Sequence, residues 1–300
     1  MNDFPRYFID AATAVPDDDV EVMIVPVPYE ATTTYRKGCQ EGPIALLAAS
    51  DQLEHYDVEL QQEPCFAVGI GIHDAIADTR HQADLPPEVM VQQVEAALIP
   101  LLKTGKFVIT LGGEHGITAG VVAAYQQVET EPFTVVQIDA HGDLRHSYQG
   151  SIYNHACVMR RIVDRGIPLV PVAIRSICKE EADLITSQQI PVQWDHHITE
   201  NPQWIEAAIA AIQTDRVFLT IDLDGLDPAI MPGVGTPQPG GLNWAQTTRF
   251  LRTLFTQRQV IGCDVMELAP LRDAVVSEFI AAKLVYKLIG YHALSRGRLD

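Results

Sequence analysis

The densest chemistry in this 300-residue chain is Asp139-Ala140-His141-Gly142-Asp143, which directly follows the apolar run Thr134 to Ile138. In an extended chain, positions i, i+2 and i+4 point to one side, so two carboxylates and an imidazole would converge at a strand's carboxyl end. That is the spacing of metal ligands; the alternative is a polar loop with an N-cap aspartate. Asp222-Leu223-Asp224 repeats the arrangement after Val217 to Ile221. Two unpaired carboxylates at the end of a buried strand repel each other and lose solvation, and a cation relieves both. Gly112-Gly113-Glu114-His115 follows Phe107 to Leu111 and precedes a helix. Its paired glycines are expected to turn the backbone tightly and set His115 at the sheet's edge. Asp264-Val265-Met266-Glu267 again ends an apolar run in acid.

Four carboxylates (Asp139, Asp143, Asp222, Asp224) and two imidazoles (His115, His141) are too many donors for one ion and suit two ions sharing bridging carboxylates, roughly 3.5 to 4 Å apart. The oxygen-rich, thiolate-free set favours two Mn²⁺ ions over structural Zn²⁺, and also admits Co²⁺, Ni²⁺ or Fe²⁺.

The elements that must position these groups are legible as short β-branched runs at residues 20–27, 66–72, 107–111, 134–138, 169–174, 217–221 and 260–265. They are apolar on both faces, the pattern of a parallel sheet covered by helices on both sides. Helices are expected at 42–50, 87–103, 116–127, 155–165, 202–213, 244–257 and 276–294. The helix from Pro87 has a proline at its start, an apolar stripe at Val94, Leu98, Leu101 and Leu102, and Gly105 just past its end,. Ligands of open α/β sheets bind outside the carboxyl ends of the strands, where all four motifs fall. No linker or repeat interrupts the rhythm, so residues 1–300 read as one α/β domain.

Lys plus Arg number 21 against 39 Asp plus Glu, a formal charge of -18. That argues against nucleic acid and anionic membrane as partners and suits a cationic ligand, or simply an acidic surface. Five scattered cysteines form no close pair and fit a reducing cytoplasm,. The opening MNDFPRYFID lacks a basic segment followed by an apolar one, and no run of about 18 apolar residues occurs, so the chain reads as soluble and untargeted,.

The motifs GGEH (112–115), DAHGD (139–143), TIDLDGLDPAIMPGVGTPQPGGL (220–242) and DVMELAP (264–270) together resemble the ureohydrolase family of arginases and agmatinases, in family order and across nearly the whole chain. TTTYRKGCQEGP (32–43) and NHACVMRRI (154–162) look more like the agmatinase branch, including its aminopropylagmatine-cleaving relatives. The resemblance implies a three-layer α/β/α fold with a mostly parallel, about eight-stranded sheet, assembled as a homo-oligomer, a trimer or hexamer. It implies that His115, Asp139, Asp143 and Asp222 hold one metal and Asp139, His141, Asp222 and Asp224 the other. A metal-activated water would attack the guanidinium carbon of a small cationic guanidino substrate and release urea. Asp143 would carry the proton to the leaving amine, Glu267 would hold the guanidinium nitrogens, and His155 would shuttle protons or position substrate.

The chain departs from that pattern at Gly116 and Thr220, where many relatives carry serine, and in the loop LRHSYQGSIYN (144–154), which has none of the acidic residues agmatinase-like relatives often place there. The resemblance implies that this loop faces the substrate's tail. Agmatine, giving putrescine, is the expected substrate; aminopropylagmatine, arginine and guanidinobutyrate suit the same metal site. A two-metal phosphoesterase is disfavoured by the acidic chain and the absence of an evident phosphate clamp. A non-catalytic guanidinium-binding relative is disfavoured because every expected ligand is present.

Overall fold

The computed structural model describes residues 4–299; residues 1–3 and 300 lie outside the described residues. Eight strands form one sheet: β1 (Val20–Val27), β2 (Gly69–Ile72), β3 (Phe107–Gly112), β4 (Phe133–Ile138), β5 (Leu169–Ile174), β6 (Gln193–Trp194), β7 (Arg216–Asp222) and β8 (Gln259–Met266). Their order is β2-β1-β3-β8-β7-β4-β5-β6, and every pairing is parallel. The helices are α1 (Gly42–Ser50), α2 (Pro64–Ala67), α3 (Pro87–Leu102), α4 (Thr118–Val128), α5 (Val158–Asp164), α6 (Lys179–Gln188), α7 (Asp195–Glu200), α8 (Trp204–Ala211), α9 (Trp244–Gln257) and α10 (Val276–Ser295).

Successive strand residues feed two separate cores, which is why the runs are apolar throughout. In β3, Phe107, Ile109 and Leu111 join the core under α1, α8, α9 and α10, while Val108 joins the one under α3, α4 and α5. The result is the expected three layers, α/β/α.

The crossover order positions the site. After β3 the chain skips two places to lay down β4, and β7 and β8 later fill the gap. The strands that carry the four polar motifs therefore end as the four neighbours β3-β8-β7-β4.

The structure differs from the sequence reading in several places, the unexpected short elements β6 and α7 among them. Residues 66–72 are not all strand: Pro64 opens the turn α2 and only Gly69–Ile72 pairs,. The helix expected from His155 begins as a 3₁₀ turn, with α5 proper starting at Val158. The helix α6 was not expected, because its sequence KEEADLITSQ is largely polar and its capping box uses Cys178, rather than a hydroxyl or amide residue, with Glu181,.

Candidate metal centre

Strand alternation does not bring the ligand candidates together. β4 ends at Ile138, and the chain beyond it leaves the extended conformation, with Asp143 at φ 52. β7 ends at Asp222 and a 3₁₀ turn, Leu223–Gly225, follows. In each loop the first aspartate ties down the residue two positions on. Asp139 Oδ1 accepts from His141 N at 2.6 Å, and Asp222 Oδ1 accepts from Asp224 N at 2.9 Å. These side-chain turns replace the strand periodicity and leave the Oδ2 atom of each aspartate facing the cluster.

The paired glycines also act differently from expectation. Neither Gly112 nor Gly113 has a positive φ. They permit close approach instead: a Cβ on Gly112 would strike the Met266 thioether, and one on Gly113 the Tyr29 carbonyl,.

His115 Nδ1 lies 3.1 Å from Asp139 Oδ2, 3.1 Å from Asp143 Oδ2 and 3.3 Å from Asp222 Oδ2. None of these contacts has hydrogen-bonding geometry, so this buried nitrogen has no hydrogen-bond partner. Its other ring nitrogen lies 2.8 Å from Thr220 Oγ1; a proton on Nε2 donated there leaves the Nδ1 lone pair facing the three carboxylates. A lone pair and three carboxylate oxygens around one point are a ligand set for a cation. On the other side His141 Nδ1 lies 3.0 Å from Asp224 Oδ2 and 3.7 Å from Asp139 Oδ1. Donor atoms of His115, Asp139 and Asp222 fall within 4.8 Å of one another, and those of Asp139, His141 and Asp224 do the same. Asp139 is common to both groups; Asp222 belongs only to the first, and Asp143 reaches it through His115.

The electrostatics require a cation or protons. Burial pushes the Asp139 carboxyl up to about 7, with Asp143 and Asp224 adding to the rise. Burial also raises Asp222 well above the carboxylate range, with Asp224 and Asp139 contributing. Burial would raise Asp224 too, yet His141 beside it holds it at about 2. Burial lowers His141, but Asp224 more than offsets this and carries it to about 10. Divalent cations would keep all four aspartates ionised and both imidazoles neutral, so the residues present fit a binuclear centre.

Glu267 follows β8 in the left-handed region, φ 69, and its Oε1 accepts from His115 N at 2.7 Å. Burial raises its carboxyl well above the usual range against that bond. It lines a cleft of about 200 Å³ together with Asp143, Asp222, Asp224, His141 and His155. His155 sits at the start of the 3₁₀ turn capped by Asn154, and burial holds its imidazole below the usual value. His146, the residue after Arg145, does not line the cleft; its backbone N–H donates to Glu180.

Sequence reasoning missed the supports. Thr220 orients His115, and Gln137 Nε2 donates to Asp139 Oδ2 at 2.8 Å. Arg175 donates to the carbonyls of Asp224 and Gln238 at 2.7 and 3.1 Å, and Arg36 to those of Ala269 and Pro270 at 2.9 and 2.7 Å. The two guanidiniums staple the loops after β7 and β8. Both arginines stood in the sequence, but carbonyl partners leave no pattern of residue types to read.

Comparison with known proteins matches residues 20–290 to the Arginase family. The chain is 55% identical to the N(1)-aminopropylagmatine ureohydrolase of Synechocystis sp. over 96% of its own length and 94% of the relative's. It is 33% identical to the protein of the same name from Thermus thermophilus over 95% and 94%. Among solved structures it resembles the agmatine ureohydrolase of Thermoplasma volcanium, with TM-score 0.84 and 28% identity over 98% of this chain and 97% of that one.

Proposed function

Because the chain belongs to the arginase family, with a ureohydrolase's activity, we propose that its substrate is N1-aminopropylagmatine, cleaved to urea and the triamine spermidine at a binuclear Mn²⁺ centre. The 55% identity to the Synechocystis protein over almost the full length of both chains carries the choice of substrate. Agmatine stands second, supported by the 28% likeness to the Thermoplasma enzyme. In this reading residues 1–300 form one catalytic domain of a cytoplasmic homo-oligomer. The apolar side chains of Val275, Val276 and Phe279, left exposed on or beside α10, support the assembly.

His115, Asp139, Asp143 and Asp222 would hold one ion, and Asp139, His141, Asp222 and Asp224 the other. When bound, the ions supply an acidified water and positive charge at the reacting centre. Manganese is favoured by the donors, four carboxylates and two imidazoles with no thiolate. Glu267 binds the guanidinium: Oε1 is already steadied by His115 N, and Oε2 faces the opening beside Gly235, so a planar donor fork meets a carboxylate that cannot rotate. Asp143 takes the proton released as the new C–O bond forms and delivers it to the leaving nitrogen as the C–N bond breaks. His155, at the cleft wall, exchanges protons with solvent so that the amine departs as ammonium.

The tail is read without a free carboxylate. Beyond the head group the one acid lining the cleft, among the described residues, is Glu181, and both its oxygens are taken, by Leu144 N at 2.9 Å and Cys178 N at 2.6 Å. Aromatic faces are available instead. Tyr148 lines the cleft and already carries a cation, the Arg145 guanidinium 4.8 Å from its ring centre. A long tail with two amines fits such faces and the hydroxyls of Thr33 and Thr34.

Urea release by the Mn²⁺-loaded protein, with a chelated control, is to be measured on aminopropylagmatine, agmatine, arginine and guanidinobutyrate. Metal-dependent urea with kcat/KM for aminopropylagmatine about tenfold or more above agmatine is expected. Equal or better use of agmatine would overturn the substrate, and no urea from any would overturn the reading of the site.

A further inference from the structure

One buried acid beside the centre has no task in this chemistry. Glu114 is fully buried and, although next to His115, turns away from the aspartates. Its Oε2 accepts from Ala31 N at 2.7 Å and Thr32 N at 2.6 Å, and its Oε1 accepts from the Thr32 hydroxyl at 2.7 Å. The same hydroxyl oxygen accepts from His155 N at 3.0 Å and lies 3.1 Å from His155 Nδ1. We propose that Glu114 and Thr32 are positioning residues that fix His155 as the Nδ1–H tautomer, so that its Nε2 is the atom that loads and unloads protons during turnover.

Counting protons gives the direction. A hydroxyl has one proton and two lone pairs. Three donors converge on Glu114, two backbone N–H groups on Oε2 and the Thr32 hydroxyl on Oε1. They oppose the burial that raises its carboxyl and favour the acceptor-only carboxylate, so the Thr32 proton points to it. One Thr32 lone pair then takes the His155 backbone N–H, and the other can be satisfied only by a donor, which is Nδ1–H. Nε2 is left as the free lone pair of a side chain that lines the cleft with Asp143 and Tyr148. The neighbourhood is tight: a Cβ on Gly116 would sit 3.3 Å from Glu114 Oε1 and 3.5 Å from His155 N.

The benefit is a histidine whose support does not change with its charge. Nδ1–H donates to Thr32 whether the ring is neutral or protonated, so a proton arriving at Nε2 from solvent and leaving to the product amine requires no change of partner. In the opposite tautomer, Nε2 would already carry a proton, and loading would occur at Nδ1, away from the cleft. The tautomer is independent of substrate identity; only its kinetic consequence rests on the ureohydrolase reading.

Neutron diffraction from deuterated crystals of the metal-loaded enzyme reads the tautomer directly, and kinetics read its consequence. Deuterium is expected on His155 Nδ1 in the wild-type protein. In Glu114→Gln the amide donates to Thr32, which turns the hydroxyl toward His155 Nδ1 and moves the ring proton to Nε2. Thr32→Val should lower kcat by about 10- to 100-fold with KM within about twofold, and Thr32→Ser should restore it. Deuterium on Nε2 of the wild-type ring, an unchanged tautomer in Glu114→Gln, or a Thr32→Ser variant no better than valine would each overturn the proposal. Absence of urea release with the expected tautomer present would overturn the ureohydrolase reading and leave the tautomer standing.

Discussion

The two ends of the cleft are built by opposite rules. At the head, His115, Asp139, Asp143, Asp222, Asp224 and Glu267 are all buried, most tied by backbone or side-chain hydrogen bonds, and Asp143 and Glu267 are held at positive φ. Such backbone persists only where surrounding structure enforces it, as the glycine-permitted contacts and the arginine staples do here. At the tail end, Tyr35 is 81% exposed, Arg145 rests on Tyr148 rather than on an acid, and the one lining carboxylate is spent on backbone N–H groups. Chemistry of the kind proposed for the head tolerates little displacement of its groups. A tail read through ring faces and hydroxyls can be altered without disturbing the centre.

The largest effects should come from the head. Asp222→Ala and Asp143→Asn are each expected to lower kcat by on the order of 10³-fold or more. They should separate in metal content: Asp222→Ala loses bound metal by elemental analysis, whereas Asp143→Asn retains much of it. Full activity in either variant would break the distinction between the two ends. Glu267→Ala comes next, with a loss of about 10²-fold in kcat/KM and normal metal content, because truncating a buried charge partner costs about 2–5 kcal/mol. That loss should be the same for every guanidino substrate, since all share the head group.

Thr220→Val tests whether the head's precision extends beyond its ligands. Without the Thr220 hydroxyl, the 2.8 Å contact to His115 Nε2 is lost, and metal affinity should fall about 10- to 100-fold while saturating metal restores most of kcat. Titration of the metal-free protein, followed by heat or by urea release, measures this. An unchanged affinity would mean that the carboxylates alone orient His115.

The same contrast explains what the sequence revealed. Residue types at strand ends were sufficient for the head, and all six ligand candidates converge. The stated reason was only partly right: Asp139 and Asp222 bring their neighbours inward by capping turns, not by strand alternation, and a one-letter pattern cannot distinguish the two. The central adjacency β3-β8-β7-β4 was also hidden, because it depends on β7 and β8 filling a gap left by an earlier crossover, whereas periodicity reports each strand alone. α6 escaped because its polar composition has little apolar stripe, although it supplies Glu181 to the tail end. The acid-poor loop 144–154 was visible, but its replacement, a tyrosine ring carrying an arginine, is a contact rather than a motif.

The smallest expected effect tests the tail itself. If Tyr148 reads an amine of the tail through its ring, Tyr148→Ala should lower kcat/KM for aminopropylagmatine by about tenfold, the scale of a cation–π contact of about 1 kcal/mol or somewhat more, and Tyr148→Phe should keep most of it. Agmatine, which lacks the aminopropyl extension, should be affected less, so the ratio between the two substrates falls in the alanine variant. Arg145 supplies the control, since its guanidinium occupies a face of the same ring and carries the same charge as the tail. Arg145→Ala should therefore lower KM for aminopropylagmatine by a few-fold, from relief of like-charge repulsion and release of the ring face, without changing kcat. Added salt should shrink the part that comes from repulsion and leave the part that comes from the ring. A rise in KM would instead make Arg145 a support for Tyr148, and would place the ring's role in packing rather than in recognising charge.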